Sequence, residues 1–160
     1  MKVCKFEKIK DEDEMKQVIN CIQKEHPYVA VVPILAQLQE WLQAISISWF
    51  HEEDEVSHAT VNAIEAYCCT LANHLVTDSH LNQEIKNRIL ECIKKIHILV
   101  EDKADLLIDK MIKAEVYGLS SDLFTYCLRQ QGLRAQTLDT GKLIQINLER
   151  KPDIPYIQES

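Results

Sequence analysis

Tyr28-Val29-Ala30-Val31-Val32 is a short, continuous apolar run, and how it is read decides the fold. Such a run, placed just after a helical pattern, is the mark of a buried parallel strand. The helical pattern before it carries Met15, Val18, Ile19 and Ile22 on one face. Asp11 or Asp13 is placed to cap that helix, and His26-Pro27 stops it. Further upstream, residues 2–6 alternate in the manner of a strand, with Val3 and the ring of Phe6 as packing residues. Strand, helix and strand within about thirty residues make one βαβ unit, expected to be right-handed.

From Pro33 the pattern turns helical. Leu35, Leu38, Trp41, Leu42 and Ile45 form one stripe; Ile64, Tyr67, Cys68, Leu71 and Leu75 form a second. The acidic stretch His51-Glu52-Glu53-Asp54-Glu55 lies between them as a solvated connection or a first helical turn. Asp78 or Ser79 caps a third stripe of Ile85, Ile89, Cys92, Ile93, Ile96 and Val100. Asp102 starts a fourth, with Leu107, Ile108, Met111 and Ile112. After Gly118 a new helix is expected, capped by Ser120 or Ser121 and burying Leu123, Phe124, Cys127 and Leu128, with Gly132 at its C′ position. Residues 134–138 read as a strand, Asp139-Thr140-Gly141 as a turn, and residues 143–148 as a last strand or extended segment. Residues 150–160 hold two prolines and little apolar mass and read as a tail.

Composition narrows the function. The chain has 160 residues, 18 basic and 25 acidic, for a net charge of −7, which is no footprint of a nucleic-acid binder. No apolar run approaches the roughly 18 to 20 residues that span a bilayer, and no signal-peptide core follows the first charges. The expected location is therefore cytoplasmic, with no membrane partner. The six cysteines show no Cys-x-x-Cys pair and read as reduced, buried thiols. Only Gly118, Gly132 and Gly141 are glycine, where average usage of about 7% would give roughly eleven. A phosphate-cradling backbone can hardly be built from three. His51 and His58, with acidic residues between them, and His74 and His80, at a helix break, match no metal-ligand spacing and read as solvated side chains. Trp41 and Trp49, eight residues apart, read as core or interface.

The collinear order of these elements resembles the N-terminal part of monofunctional aspartokinases, members of the amino-acid kinase family. Met1-Lys2-Val3-Cys4-Lys5-Phe6 looks like the family's first strand, which runs into Lys-Phe-Gly-Gly-Thr-Ser. Ala30-Val31-Val32 looks like its second strand, and residues 33–115 like its helical insertion. Gly118-Leu119-Ser120-Ser121-Asp122-Leu123 resembles the helix start that carries Gly-Glu-x-Leu-Ser-Ser, and the stretch from Tyr126 to Gln136 the helix and turn before the third strand. Leu138-Asp139 sits where the family has a Leu-Asp-Ala-Arg-like segment, and Lys151-Pro152-Asp153-Ile154-Pro155-Tyr156-Ile157 resembles the segment that follows. The resemblance implies a single domain over 1–160: a truncated three-layer α/β fold with a short, mostly parallel sheet of three or four strands, about six helices and a large helical insertion. It also implies a last strand left as an open edge.

Carried over residue by residue, the resemblance implies little surviving chemistry. Lys5 stands where the family has a phosphate-contacting lysine. Glu7-Lys8-Ile9-Lys10 replaces the glycine loop that approaches nucleotide phosphates, and Glu7 adds a like charge there. Pro33-Ile34-Leu35 replaces a Ser-Ala segment, and Tyr117 stands where a glutamate helps bind the aspartate amine. Lys5, Ser120, Ser121 and Asp139 remain as ligand-binding candidates. Lys5 also reads as a solvated lysine, and the two serines as N-caps. Three functions follow as expectations. The first is an aspartokinase-like protein without its nucleotide-binding half, inactive alone, with no cofactor or metal, acting as a binding or assembly partner of itself or of a full-length aspartokinase. The second is a fragment of an active aspartate kinase of amino-acid biosynthesis, using ATP-Mg. The third is a small-molecule-binding domain built on the helix start at Ser120.

Overall fold

The computed structural model describes residues 2–138 and 143–147. Among them are five helices and four short strands: β1 (Val3–Lys5), α1 (Glu12–Glu25), β2 (Val29–Val31), α2 (Ala36–Phe50), α3 (Asp54–Leu75), α4 (Ser79–Glu101), α5 (Leu107–Gln130), β3 (Arg134–Thr137) and β4 (Leu143–Asn147). The fold is mixed α/β. The tail at 150–160 and the turn at Asp139-Thr140-Gly141 lie outside the described residues.

The first βαβ unit forms as its sequence suggests. Asp11 caps α1, its carboxylate accepting from the Glu14 amide at 2.9 Å, while Glu14 Oε1 accepts from the Lys10 amide at 2.7 Å. Two amides without helical partners are thereby satisfied. His26 ends α1 in the left-handed conformation, with Pro27 behind it. β1 and β2 pair in parallel, Cys4 opposite Ala30.

The sheet order is β1-β2-β4-β3. β4 runs antiparallel to both β2 and β3, so the sheet is mixed and the expectation of mostly parallel strands is corrected. The short hairpin from β3 to β4 dictates this, because strands joined by so few residues must run antiparallel. β4 is therefore interior, not the open edge expected of it; the edges are β1 and β3.

Register and burial identify the covered face. Cys4, Ala30, Ala135, Thr137, Ile144 and Ile146 share one face, and Ala30, Ala135, Ile144 and Ile146 belong to the apolar core. The other face carries Val3, Lys5, Val29, Val31, Arg134, Gln136 and Leu143, exposed or half-buried, and Gln145, which is buried. Val3, expected as a packing residue, is 56% exposed. Among the described residues, α5 packs against β3 and β4. Alternate strand positions are apolar and covered on the helix side but mixed and more open on the other.

The helical region forms a four-helix bundle, with α2 against α3, α3 against α4, and α5 against α4 and α2. The connections 51–53, 76–78 and 102–106 are short, which makes sequence neighbours antiparallel. The buried stripes alternate three and four residues: Leu38, Leu42, Ile45 and Trp49 on α2; Ser57, Val61, Ile64, Cys68 and Leu71 on α3. Where α2 meets α3 the stripe includes a buried hydroxyl pair, Ser48 Oγ and Ser57 Oγ at 2.6 Å.

The largest departure from the sequence reading is α5. One unbroken helix of 24 residues replaces the two expected on either side of Gly118, so there are five helices rather than six. Asp102, expected to start the first of them, instead caps the end of α4. At about 1.5 Å per residue, α5 is long enough to serve both layers. Its first half contributes Ile108, Ile112 and Val116 to the bundle. Its second half buries Leu119, Ser120, Ser121, Leu123, Phe124, Thr125, Cys127 and Leu128, nearly all round, against the sheet and α1. A Cβ at Gly118 would lie 3.8 Å from Arg88 Nη2, an ordinary contact, so this glycine answers no steric need. Gly132 is different, with φ at +87° just beyond the helix end.

These two glycines should respond oppositely to the same change. Gly118→Ala should stabilise the protein by about 1 kcal/mol, because alanine favours helix interiors. Gly132→Ala should destabilise it by about 1 to 2 kcal/mol, because only the left-handed backbone penalty changes there. Urea unfolding of the two variants beside the parent checks both signs.

Candidate functional site

In open α/β sheets, ligands bind beyond the carboxyl ends of parallel strands, where backbone amides and helix N-termini point outward. In this chain that place is the pair of turns after β1 and β2. Phe6 N donates to Val31 O at 3.0 Å and holds the two turns together. Ile9, the one apolar residue in Glu7-Lys8-Ile9-Lys10, is fully buried between them. Leu35 at the second turn is fully buried as well.

The amides of these turns are engaged internally. Ala36 N, at the first turn of α2, donates to Ile9 O at 3.0 Å. Leu35 N donates to Ser120 Oγ at 3.4 Å. Pro33 has no N–H to offer. At α1, the amides of Lys10 and Glu14 are held by Glu14 and Asp11. These bonds engage the amides of Lys10, Glu14, Leu35 and Ala36, while the start of α2 has no side-chain cap.

The candidates from the sequence do not converge. Lys5 is exposed on the open face of the sheet. Ser120 and Ser121 lie within α5, on the covered side, each 2% exposed. Neither starts a helix, so the expected N-capping role is corrected. Small hydroxyl side chains fit where the helix is packed on all sides, and Ser120 accepts a backbone hydrogen bond there. Thr125 Oγ1 similarly bonds Ser121 O at 3.0 Å and Thr137 Oγ1 at 2.6 Å, tying α5 to β3. Asp139 lies outside the described residues. Tyr117 donates from its hydroxyl to Gln39 Oε1 at 3.4 Å, linking α5 to α2.

Other clusters were not found from sequence. Glu12 on α1 accepts from His74 at the end of α3 at 2.8 Å and pairs with Lys16 at 3.4 Å. These two contacts hold its carboxyl below the usual carboxylate range, the His74 hydrogen bond most of all. They border a cavity of about 320 Å³ lined by Lys16, Asn20, His74, Cys127 and Gln130. His58 and His97 join α3 to α4 through their Nδ1 atoms, 2.7 Å apart. Two apolar grooves flank the start of α5. One, of about 420 Å³, lies between α2 and α5 along Ile47, Trp49, Phe50 and Leu106; the other, of about 400 Å³, lies between α4 and α5 along Ile98, Leu99, Met111 and Ala114. Phe50 is 70% exposed and Leu106 73%. No group of three or more His, Cys, Asp or Glu poised for a metal occurs among the described residues. No helix among them is long and apolar enough to cross a membrane.

All six cysteines are free thiols. Burial pushes the Cys92 and Cys127 thiols up to about 12, and Cys68 further in the same direction. A thiol so placed is no nucleophile near neutral pH.

No known family model, curated protein or solved structure matches the chain.

A thiol reagent at pH 8 should therefore modify Cys4, Cys21 and Cys69 in the folded protein, and Cys68, Cys92 and Cys127 only as it unfolds. Peptide mass mapping of the modified thiols with and without urea checks the division.

Proposed function

We propose that this chain is a non-catalytic, aspartokinase-like protein that acts as a binding or assembly partner, of a second copy or of a full-length aspartokinase. One observation carries the reading. The amides that a phosphate would need, at Leu35 and Ala36, donate instead to Ser120 and Ile9, and Pro33 between the strand and those residues has none. A phosphate group needs several converging amide donors, and loss of even one transition-state donor costs on the order of 3 kcal/mol. Lys5, on the open face of the sheet, supplies a point charge and no orientation.

The partner half of the reading rests on the bundle end. Ile47, Phe50 and Leu106 there line one apolar groove, and Ile98 and Met111 line another on the other flank of α5; apolar side chains grouped in this way mark interaction sites. An active kinase fragment would need its strand-end amides free. A ligand site at Ser120 would need that serine at a helix start, and it lies inside α5.

Isothermal titration with ATP-Mg and a coupled ADP-release assay with aspartate test the first half. We predict no binding at micromolar nucleotide and no turnover. Micromolar binding, or turnover that disappears on Lys5→Ala, would overturn it in favour of an active fragment. Light scattering after size exclusion tests the second half, alone and mixed with an aspartokinase. Association that is lost in the Phe50→Ser, Leu106→Ser double variant is expected; a monomer that ignores the kinase at high micromolar concentration would contradict it.

A further inference from the structure

We propose that His58 and His97 form a hydrogen-bonded imidazole pair that clasps α3 to α4 at neutral pH and opens on acidification. His58 lies near the start of α3 and His97 near the end of α4, 39 residues apart in sequence. Their Nδ1 atoms are 2.7 Å apart, while their ring centroids are 4.9 Å apart at an interplanar angle of 26°. The centroid separation exceeds the nitrogen separation by about two ring radii, so the rings meet edge to edge, nearly coplanar, with one nitrogen directed at the other. The contact is at the short end for an N–H donor.

The outer nitrogens fix where the protons reside. His97 Nε2 lies 3.1 Å from Asn62 Oδ1, an acceptor, and so carries a hydrogen. Neutral His97 therefore presents a lone pair at Nδ1, and His58 donates its Nδ1–H across the bridge. His58 Nε2 faces Glu101 Oε1 at 3.9 Å. A cation on the His58 ring would have that carboxylate as counter-charge. A second proton has only His97 Nδ1 to occupy. Two N–H groups would then point at each other across 2.7 Å, each on a cation, and the rings must part.

The groups acting on His97 are His58 and Glu65 from α3 and Glu101 from its own helix. Burial, and then His58, hold its protonation below the ordinary histidine range, against the pull of the two carboxylates. The sign follows directly. With the folded value depressed, the unfolded chain binds the proton first, at a pH of about 6.5. The contribution to stability is complete above that pH and is lost as pH falls through the folded value.

The pair is at the end of the bundle that bears the exposed apolar groove. The α2–α3 turn and the α4–α5 connection meet there, through Trp49 Nε1 donating to Asp102 O at 3.0 Å and Lys103 paired with Asp54 at 3.0 Å. Parting α3 from α4 at this point moves the start of α3 and the end of α4, which carry both of those contacts. Acid would then reshape the surface formed by Phe50 and Leu106.

NMR of the histidine rings in the intact protein tests the pair directly. At pH 8, His97 should be the Nε2–H tautomer, and on titration it should protonate below the ordinary range. In His58→Gln the His97 titration should move upward. Unfolding by urea across pH 8 to 5 should show a loss of stability in the parent that shrinks in His97→Gln. An Nδ1–H tautomer at His97, or a His97 titration unmoved by His58→Gln, would overturn the proposal, and the tautomer measurement needs no variant to fold.

Discussion

The second half of α5 is enclosed nearly all round, and that enclosure governs the rest of the molecule. Such a helix keeps only a narrow half-exposed edge, at Asp122, Tyr126 and Arg129, so its other side chains must be apolar or small and each buried polar group must find a partner. Phe124 and Leu128 supply apolar bulk, and Ser120, Ser121 and Thr125 supply hydroxyls small enough to fit. Those hydroxyls, with Arg129 and Gln130, reach the surrounding elements: Ser120 to Leu35 before α2, Thr125 to Thr137 on β3, Arg129 to the Ala135 carbonyl, and Gln130 to Asp78 and Thr77 before α4. The first half of the same helix closes the bundle. A single rigid element therefore joins both halves of the fold, and a break at Gly118 would separate them.

The same enclosure accounts for the state of the strand ends. In a phosphate-binding α/β fold, the turn after a strand stays close to the ligand because nothing else fills that space. Here Ser120 comes up beneath Leu35, and Ile9 fills the gap between the turns, so the amides at 35 and 36 are turned to internal acceptors. The bond that ties Ser120 of α5 to Leu35 before α2 thus takes one donor from an anion, and the Ile9 carbonyl takes the next, at Ala36.

Local signals in the sequence were legible where local chemistry decides. Asp11 and Asp78 cap the helices expected of them, His26-Pro27 ends α1, and Gly132 takes the left-handed turn. Strand and helix periods located both strands of the βαβ unit and the stripes of α2, α3 and α4. Other features depend on what lies across the chain. Ser120 and Ser121 carry a capping signature, yet the same smallness suits a crowded helix interior, and only the packing distinguishes the two. Gly118 reads as a break by propensity alone, although tertiary contacts on both sides hold the helix through it. The insertion of β4 between β2 and β3 is set by long-range pairing that no local pattern encodes. Of the site candidates, Lys5 and the two serines were legible as residue types, but their separation by the sheet was not. Ile9, alone among charges, was the one sequence signal for the filled turn. The His58–His97 contact, formed across two helices, left none.

Hydrogen exchange at the amides of Leu35 and Ala36, with and without ATP-Mg, tests the central claim most directly. If Ser120 and Ile9 hold these two donors, both exchange slowly in the free protein, and adding ATP-Mg leaves their rates unchanged. Fast exchange at both in the free protein, slowed by ATP-Mg, would show donors waiting for a phosphate and contradict the account.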